Sequence, residues 1–352
     1  MIVGALRPRL RLRRALLAST ALASTALAVS ALAVAAVQPA MAQDATWLPN
    51  PGSGDYSTNA NWSTGLMPSG TAFFGTSSIA SLSFSPNFTT VGGWTFNAGA
   101  SAYSFTNPAN LDLSFNGAGI AVNGGSATLT NNGYLRFNNS SSAGGATITN
   151  NAYQYFNNSS TVGSGNFTNN FIVDFNNSSS LGSATVTNNY FLQIHNTSSA
   201  GSANITNGGN LIFDGTSTGG SATITNNGEA YFSGSTSAGS ANITNNFRLY
   251  FGQSATADNA TIANNLQLEF SGASTAGNAA ITNTGTLTFA DYTGVDISSA
   301  GNATITNKSG GTTAFQEYST AGGATITNTG LVYFSAYNGG HHHGCKRHHH
   351  QQ

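Results

Sequence analysis

Apolar positions recur along most of the chain on a 19-residue grid, not at helical spacing. One column is Leu129, Ile148, Phe167, Val186, Ile205, Ile224, Ile243, Ile262 and Ile281, continued by Ile305 and Ile326 after spacings of 24 and 21 residues. A second column on the same period carries Phe137, Phe156, Phe175, Ile194, Phe213, Phe232, Phe251, Phe270 and Phe289, and Phe334 resumes it after longer turns. Within a copy, Ala146-Thr147-Ile148-Thr149 alternates apolar and polar, the period-2 pattern of a half-buried strand. Leu211-Ile212-Phe213 likewise sets two apolar residues two positions apart on one face of a second strand. Asn-Asn or Asn-Gly separates the two strands, and Ser/Thr followed by Ala-Gly-Ser/Asn separates copies, all residues suited to turns and positive φ.

A third column is stricter: Asn131, Asn150, Asn169, Asn188, Asn207, Asn226, Asn245, Asn264, Asn283, Asn307 and Asn328 place Asn in all eleven copies. One identical polar residue per copy requires one identical backbone environment per copy. Nineteen residues cannot bury a face alone, so copies must stack, each covering the edge of the one before. Coiling one copy per turn predicts an all-β, right-handed parallel β-helix (a β-solenoid) with 19-residue rungs about 4.8 Å apart, or roughly 50 Å for eleven rungs. Stacked Ile and Phe fill its interior, and the Asn column forms a hydrogen-bonded ladder at a corner. An antiparallel barrel is the competing arrangement, but a strict Asn column gains most from parallel, in-register stacking.

The predicted organisation has four parts: a signal peptide over 1–42, an irregular N-terminal β cap over 43–123, solenoid repeats over 124–338 and an atypical His-rich tail over 339–352. The first follows from the basic stretch Arg7 to Arg14, the apolar run Ala15 to Val37 and the small-x-small ending Ala40-Met41-Ala42 before Gln43. The mature chain then begins at Gln43 and is exported; an uncleaved membrane anchor is the alternative. The second follows from an off-period, turn-rich stretch with three Trp, because a solenoid needs an atypical terminal unit to shield its open edge.

Composition narrows the function classes. Charged residues are 6% of the 352, far below a soluble domain's usual quarter, yet no apolar run after residue 42 approaches the roughly 20 residues of a spanning helix. The 12 Tyr and 21 Phe argue against a solvating coil. Between Gln43 and Gly340 only Arg136, Arg248 and Lys308 are basic, against 11 acidic residues, which removes the electrostatic basis for binding nucleic acid. The single cysteine, Cys345, leaves no intrachain disulfide.

Asn61-Trp62-Ser63-Thr64-Gly65, Pro68-x-Gly70-Thr71-Ala72-x-Phe74, Phe96-Asn97-Ala98-Gly99-Ala100-x-x-Tyr103 and Asn116-Gly117-Ala118-Gly119-Ile120 precede the Ala-Thr-Ile-Thr-Asn-Asn units. Together they resemble passenger regions of the autotransporter (type V secretion) family of Gram-negative bacteria, adhesin-like repeat type. The resemblance covers most of residues 1 to 338 and implies a right-handed β-helical passenger displayed at the outer surface by a C-terminal β-barrel. No series of roughly ten-residue alternating segments, the signature of such a barrel, occurs in this sequence.

Candidate chemistry is sparse. His195 is the only His before the tail and directly follows Ile194; a lone His in a repeat reads as substitution drift before it reads as a general base. Asp174, Glu269 and Arg136 share a phase one position before the second column, but the two carboxylates lie five rungs apart, roughly 24 Å. Paired glycosidase carboxylates are at most about 9.5 Å apart, so a solvated face is expected. The tail's His341 to His343, Cys345 and His348 to His350 match no defined metal-site spacing. No enzyme activity, cofactor or metal is therefore expected.

One regular outer surface remains. Thr128 and Thr130, Thr147 and Thr149, Thr185 and Thr187, Thr223 and Thr225, Thr304 and Thr306, and Thr325 and Thr327 flank an inward residue, with Asn replacing the first Thr at 204 and 242. Stacked, they make two columns of hydroxyl and methyl groups. Such Thr-x-Thr arrays resemble those of β-solenoid ice-binding proteins, although Thr also favours exposed strand positions for its own reasons. The expected function is a non-enzymatic, exported passenger, adhesin-like or structural, at the cell surface or secreted. Its expected partners are the secretion machinery, through the signal peptide, and a host surface, a polysaccharide or its own copies. The alternatives are a Thr-array module binding ice or polysaccharide and a carbohydrate-active β-helix enzyme.

Overall fold

The computed structural model describes residues 42–85, 88–291 and 295–335; the expected signal peptide over 1–42, except its last residue Ala42, and the His-rich tail over 339–352 lie outside them. The described chain winds into a parallel β-solenoid of about 14 turns with rungs of roughly 19 residues. Among the described residues, the one helical element is the short 3-10 turn Asn59–Asn61. Each regular copy gives two four-residue strands, such as Thr223–Asn226 and Glu229–Phe232, separated by a two-residue corner. Successive copies pair in parallel at a constant shift, so that Ile205 faces Ile224 and Ile224 faces Ile243. The first strands of the copies build a 13-stranded sheet and the second strands a 15-stranded sheet.

A third side, which the strand pattern did not announce, closes each turn. Single parallel bridges join Ser142, Thr161, Ser180, Ser199, Thr218, Ser237, Thr256, Thr275, Ser299 and Thr320 in one continuous series. The hydroxyl at each step folds the chain locally: Ser180 Oγ accepts from the Gly182 N–H at 2.9 Å and Ser199 Oγ from Gly201 at the same distance. This Ser/Thr turn delivers the chain to a left-handed residue, as at Gly201 with φ +63. A Cβ there would collide with the carbonyl oxygen of Gly182 on the rung below, so this turn needs glycine for space as well as for φ. A second corner uses Asn139, Asn158, Asn177 and Asn196 at φ 56 to 61, passing to Gly215 and Gly234 in later copies. Asn tolerates that region because its short polar side chain bonds locally; the Asn158 N–H donates to Asn177 Oδ1 at 3.0 Å on the next rung.

The interior is filled by columns, not by a mixed core. Consecutive Phe rings from Phe213 through Phe232, Phe251, Phe270, Phe289 and Phe315 to Phe334, which is exposed, stack at 4.3 to 4.9 Å with interplanar angles of 5 to 11°. Phe315 thus belongs to the second column, between Phe289 and Phe334. Fully buried Ala200, Ala203, Ala238 and Ala241 line the third side, where small residues leave room for the Ile and Phe side chains opposite.

The parallel ladders reach back into the off-period region. Thr71–Phe74, Phe88–Phe96 and Asp112–Val122 pair in sequence and lead into Tyr134–Phe137, with a register shift between Val91 and Gly93. Before them lies an aromatic plug of buried Trp47, Tyr56 and Trp62. Trp47 and Trp62 meet edge to face at 5.1 Å, and the Trp62 and Trp94 ring N–H groups donate to Tyr56 O and Tyr56 Oη at 2.8 and 3.2 Å. Large rings whose polar atoms are paired suit the end of an apolar column, which must be covered without stranding a donor.

Candidate functional site

The predicted Asn ladder forms; it is buried from Asn131 to Asn307, and its last member, Asn328, is exposed. From Asn131 to Asn307 each side-chain amide donates to the next Asn Oδ1 at 2.7 to 2.8 Å. The same Nδ2 reaches a main-chain carbonyl of the following rung, for example Asn188 to Asn210 O at 2.9 Å and Asn245 to Gln267 O at 2.7 Å. Each amide therefore pairs with its neighbour and with the carbonyl of the first residue of a second strand on the following rung. Asn107 precedes the series, donating to Asn131 Oδ1 at 2.6 Å across a gap of 24 residues. From Asn131 to Asn307 the ladder is buried structural machinery.

The Thr columns stand on the outer face of the 13-stranded sheet. Thr128 and Thr147 pair across rungs, as do Thr130 and Thr149, with Leu129 and Ile148 inward between them. Asn166 precedes Thr185, and Asn204 lies between Thr185 and Thr223. Thr187, Thr206 and Thr225 continue the second column, and Ala263 and Ala280 break the two columns further along. No charged residue occurs in these strands from Ser126–Asn131 to Thr325–Asn328.

The outer face of the other sheet is chemically different, because it carries the charges and the exposed rings. Arg136 Nε donates to both Asp112 carboxylate oxygens at 3.1 and 2.9 Å, and its guanidinium lies over the Tyr155 ring at 4.7 Å. Arg248 sits between Glu229 at 4.0 Å and Glu269 at 3.8 Å. His195 is held from both sides: Nε2 lies 3.7 Å from Asp174 Oδ1 and Nδ1 2.8 Å from Asp214 Oδ2. Asp174, and with it Asp214, raise the His195 pKa above its ordinary 6.5 against the opposing effect of partial burial. The His is thus the centre of a three-rung charge cluster; Asp214, one position after Phe213, is the partner that reading the sequence by columns overlooked. Asp174 and Glu269 share one outward column, with Gln193, Ile212, Tyr231 and Tyr250 between them, so the two carboxylates do not converge.

Exposed rings gather at one margin of this face. Tyr134 stacks on Tyr153 at 5.5 Å, Tyr153 meets Phe171 edge-on at 5.2 Å, Phe171 stacks on Tyr190 at 5.5 Å, and Tyr190 meets Phe191 at 4.6 Å. The sequence offered a signal for this strip, Tyr or Phe just before or at the start of the second strand in consecutive copies, but the stronger inward Phe column masked it. Among the described residues no group of three or more His, Cys, Asp or Glu is placed to hold a metal, and no helix is long and apolar enough to cross a membrane. The tail histidines and Cys345 lie outside the described residues. No protein-family model, no curated protein and no solved structure matches the chain.

Proposed function

We propose that the chain is an exported, non-enzymatic β-helical passenger of autotransporter type, adhesin-like or structural, working at the cell surface or after secretion. The observation that carries this reading is how its few charges are spent: Arg136, His195 and Arg248 each engage carboxylates on neighbouring rungs. Both ring nitrogens of His195 face a carboxylate, which leaves neither aimed at a substrate for proton transfer, and the two arginines are held in ion pairs across the surface. What repeats on every rung is instead a surface, and weak contacts made many times along one axis add to firm attachment. The basic and apolar leader ending Ala40-Met41-Ala42 supports export through the secretion machinery.

The test is expression of the full chain in a Gram-negative host, followed by fractionation and N-terminal sequencing. A product starting at Gln43 outside the inner membrane is expected; an uncleaved chain confined to the cytosol overturns the export reading. Polysaccharide cleavage that disappears on Asp174→Asn or Glu269→Gln overturns the non-enzymatic one. A second reading rests on the uncharged Thr columns, whose in-register hydroxyls could order water or lie on a crystalline polymer. It requires that Thr149→Lys with Thr187→Lys abolish ice shaping while the fold is retained.

A further inference from the structure

We propose that the ring strip Tyr134, Tyr153, Phe171, Tyr190 and Phe191 is a binding track for an extended, uncharged polysaccharide running along the solenoid axis. The proposal rests on the adhesin-like reading above and gives it a ligand class and a place. Tyr134, Tyr153 and Tyr190 are 38%, 36% and 43% exposed, unusual for large rings on a chain that buries most of its aromatics. Their stacking and edge contacts hold them as one corrugated platform across four successive rungs, so little ordering remains to be done when a ligand lands.

The chemistry on either side of the platform selects the ligand. Along one margin Asn132, Asn151, Asn170 and Asn189 form an exposed amide row, each donating to the one before at 2.8 to 3.0 Å. Beyond the next column Asn138, Asn157 and Asn176 form another, at 2.9 and 3.1 Å. The first row is exposed at every rung and the second is half-buried. A sugar ring has an apolar face of C–H bonds and an edge of hydroxyls, and a polymer of such rings presents both at regular intervals; rungs about 4.8 Å apart are of the order of one sugar unit.

Charge points the same way. Arg136 is engaged by Asp112, and Asp174 by Gln193 at 3.0 Å and by His195, so no unpaired positive charge lies beside the strip to recruit a polyanion. A protein partner would be expected to cover a broader apolar patch with few amides in its centre. Here polar rows bracket a strip one or two rings wide.

The experiment is affinity electrophoresis of the mature chain through gels carrying a soluble β-glucan, a mannan or, as a charged comparison, a pectate. Retardation by at least one neutral polymer is expected. Tyr153→Ala with Tyr190→Ala should weaken it by about tenfold or more, the scale of one lost aromatic stacking contact. Tyr153→Phe should keep it, because the ring and not the hydroxyl makes the contact. Thr149→Lys with Thr187→Lys, on the other sheet, should also leave it unchanged. Circular dichroism of each variant separates lost binding from lost fold. Retardation that survives the Tyr→Ala changes, retardation by pectate alone, or no retardation in any gel overturns the track. None of these outcomes touches the export reading, which stands or falls on the Gln43 terminus.

Discussion

Asn207 and Gln154 are both fully buried amides, with opposite consequences. Asn207 accepts from Asn188 and donates to Asn226 Oδ1, Gly209 O and Glu229 O. Gln154 occupies the inward position that Leu135 and Val173 fill on neighbouring rungs, and neither its Oε1 nor its Nε2 has a partner. Leaving a buried polar group unpaired costs about 1–3 kcal/mol. Asn207→Ala should therefore destabilise by about 3 kcal/mol, since it strands a donor and acceptors together, whereas Gln154→Leu should stabilise by about 1–3 kcal/mol. Urea unfolding midpoints measure both. His195 adds a pH term. Its pKa is raised in the folded chain, so its contribution is fully present below the ordinary 6.5 and fades as pH rises through the raised value. Thermal midpoints should fall over that interval, and His195→Gln should flatten the fall; an equal slope in the variant would remove His195 as the cause.

At the scale of a strand or a turn, what could be read from the sequence was whatever repeats without insertion. The Ile, Phe and Asn columns were legible because each residue type recurs in one environment at one spacing. Asn107 was not, because 24 residues separate it from Asn131, and Phe315 was missed because extra residues before it, including Lys308 to Gly311, shift the phase. The third side was harder still, since it consists of one bridging Ser or Thr per rung followed by small residues, a pattern that resembles a loop. The exposed ring strip was hidden for a different reason: its members alternate between the corner, as Phe171 and Tyr190, and the strand, as Tyr134 and Tyr153. The turns carry their own test. Gly201→Val puts a branched side chain at φ +63 against the Gly182 carbonyl and should cost about 2 kcal/mol or more, read as a lower urea midpoint. The same change at Gly145, where the nearest atom to an added Cβ is Val122 Cβ at 3.9 Å and φ is not left-handed, should cost much less.

Over the whole solenoid, energy is exchanged mainly between adjacent rungs, so stability is a sum of rungs and of the contacts between neighbours. Excising residues 208–226, one full period of 19, joins Asn207 to Asn227 and restores every column. The shortened chain should keep its β-type circular dichroism per residue with only a modest loss in midpoint. Removing one residue fewer should abolish cooperative unfolding locally, because a one-residue slip turns inward side chains outward. The amide ladder lends this assembly a direction. From Asn107 to Asn307 each Nδ2 donates to the higher-numbered rung, so the row begins at an acceptor, Asn107 Oδ1, that is buried without a hydrogen bond, and runs toward donors. The two ends of the row are therefore chemically unlike, an acceptor at one and donors at the other, so that ladders of two copies match only head to tail.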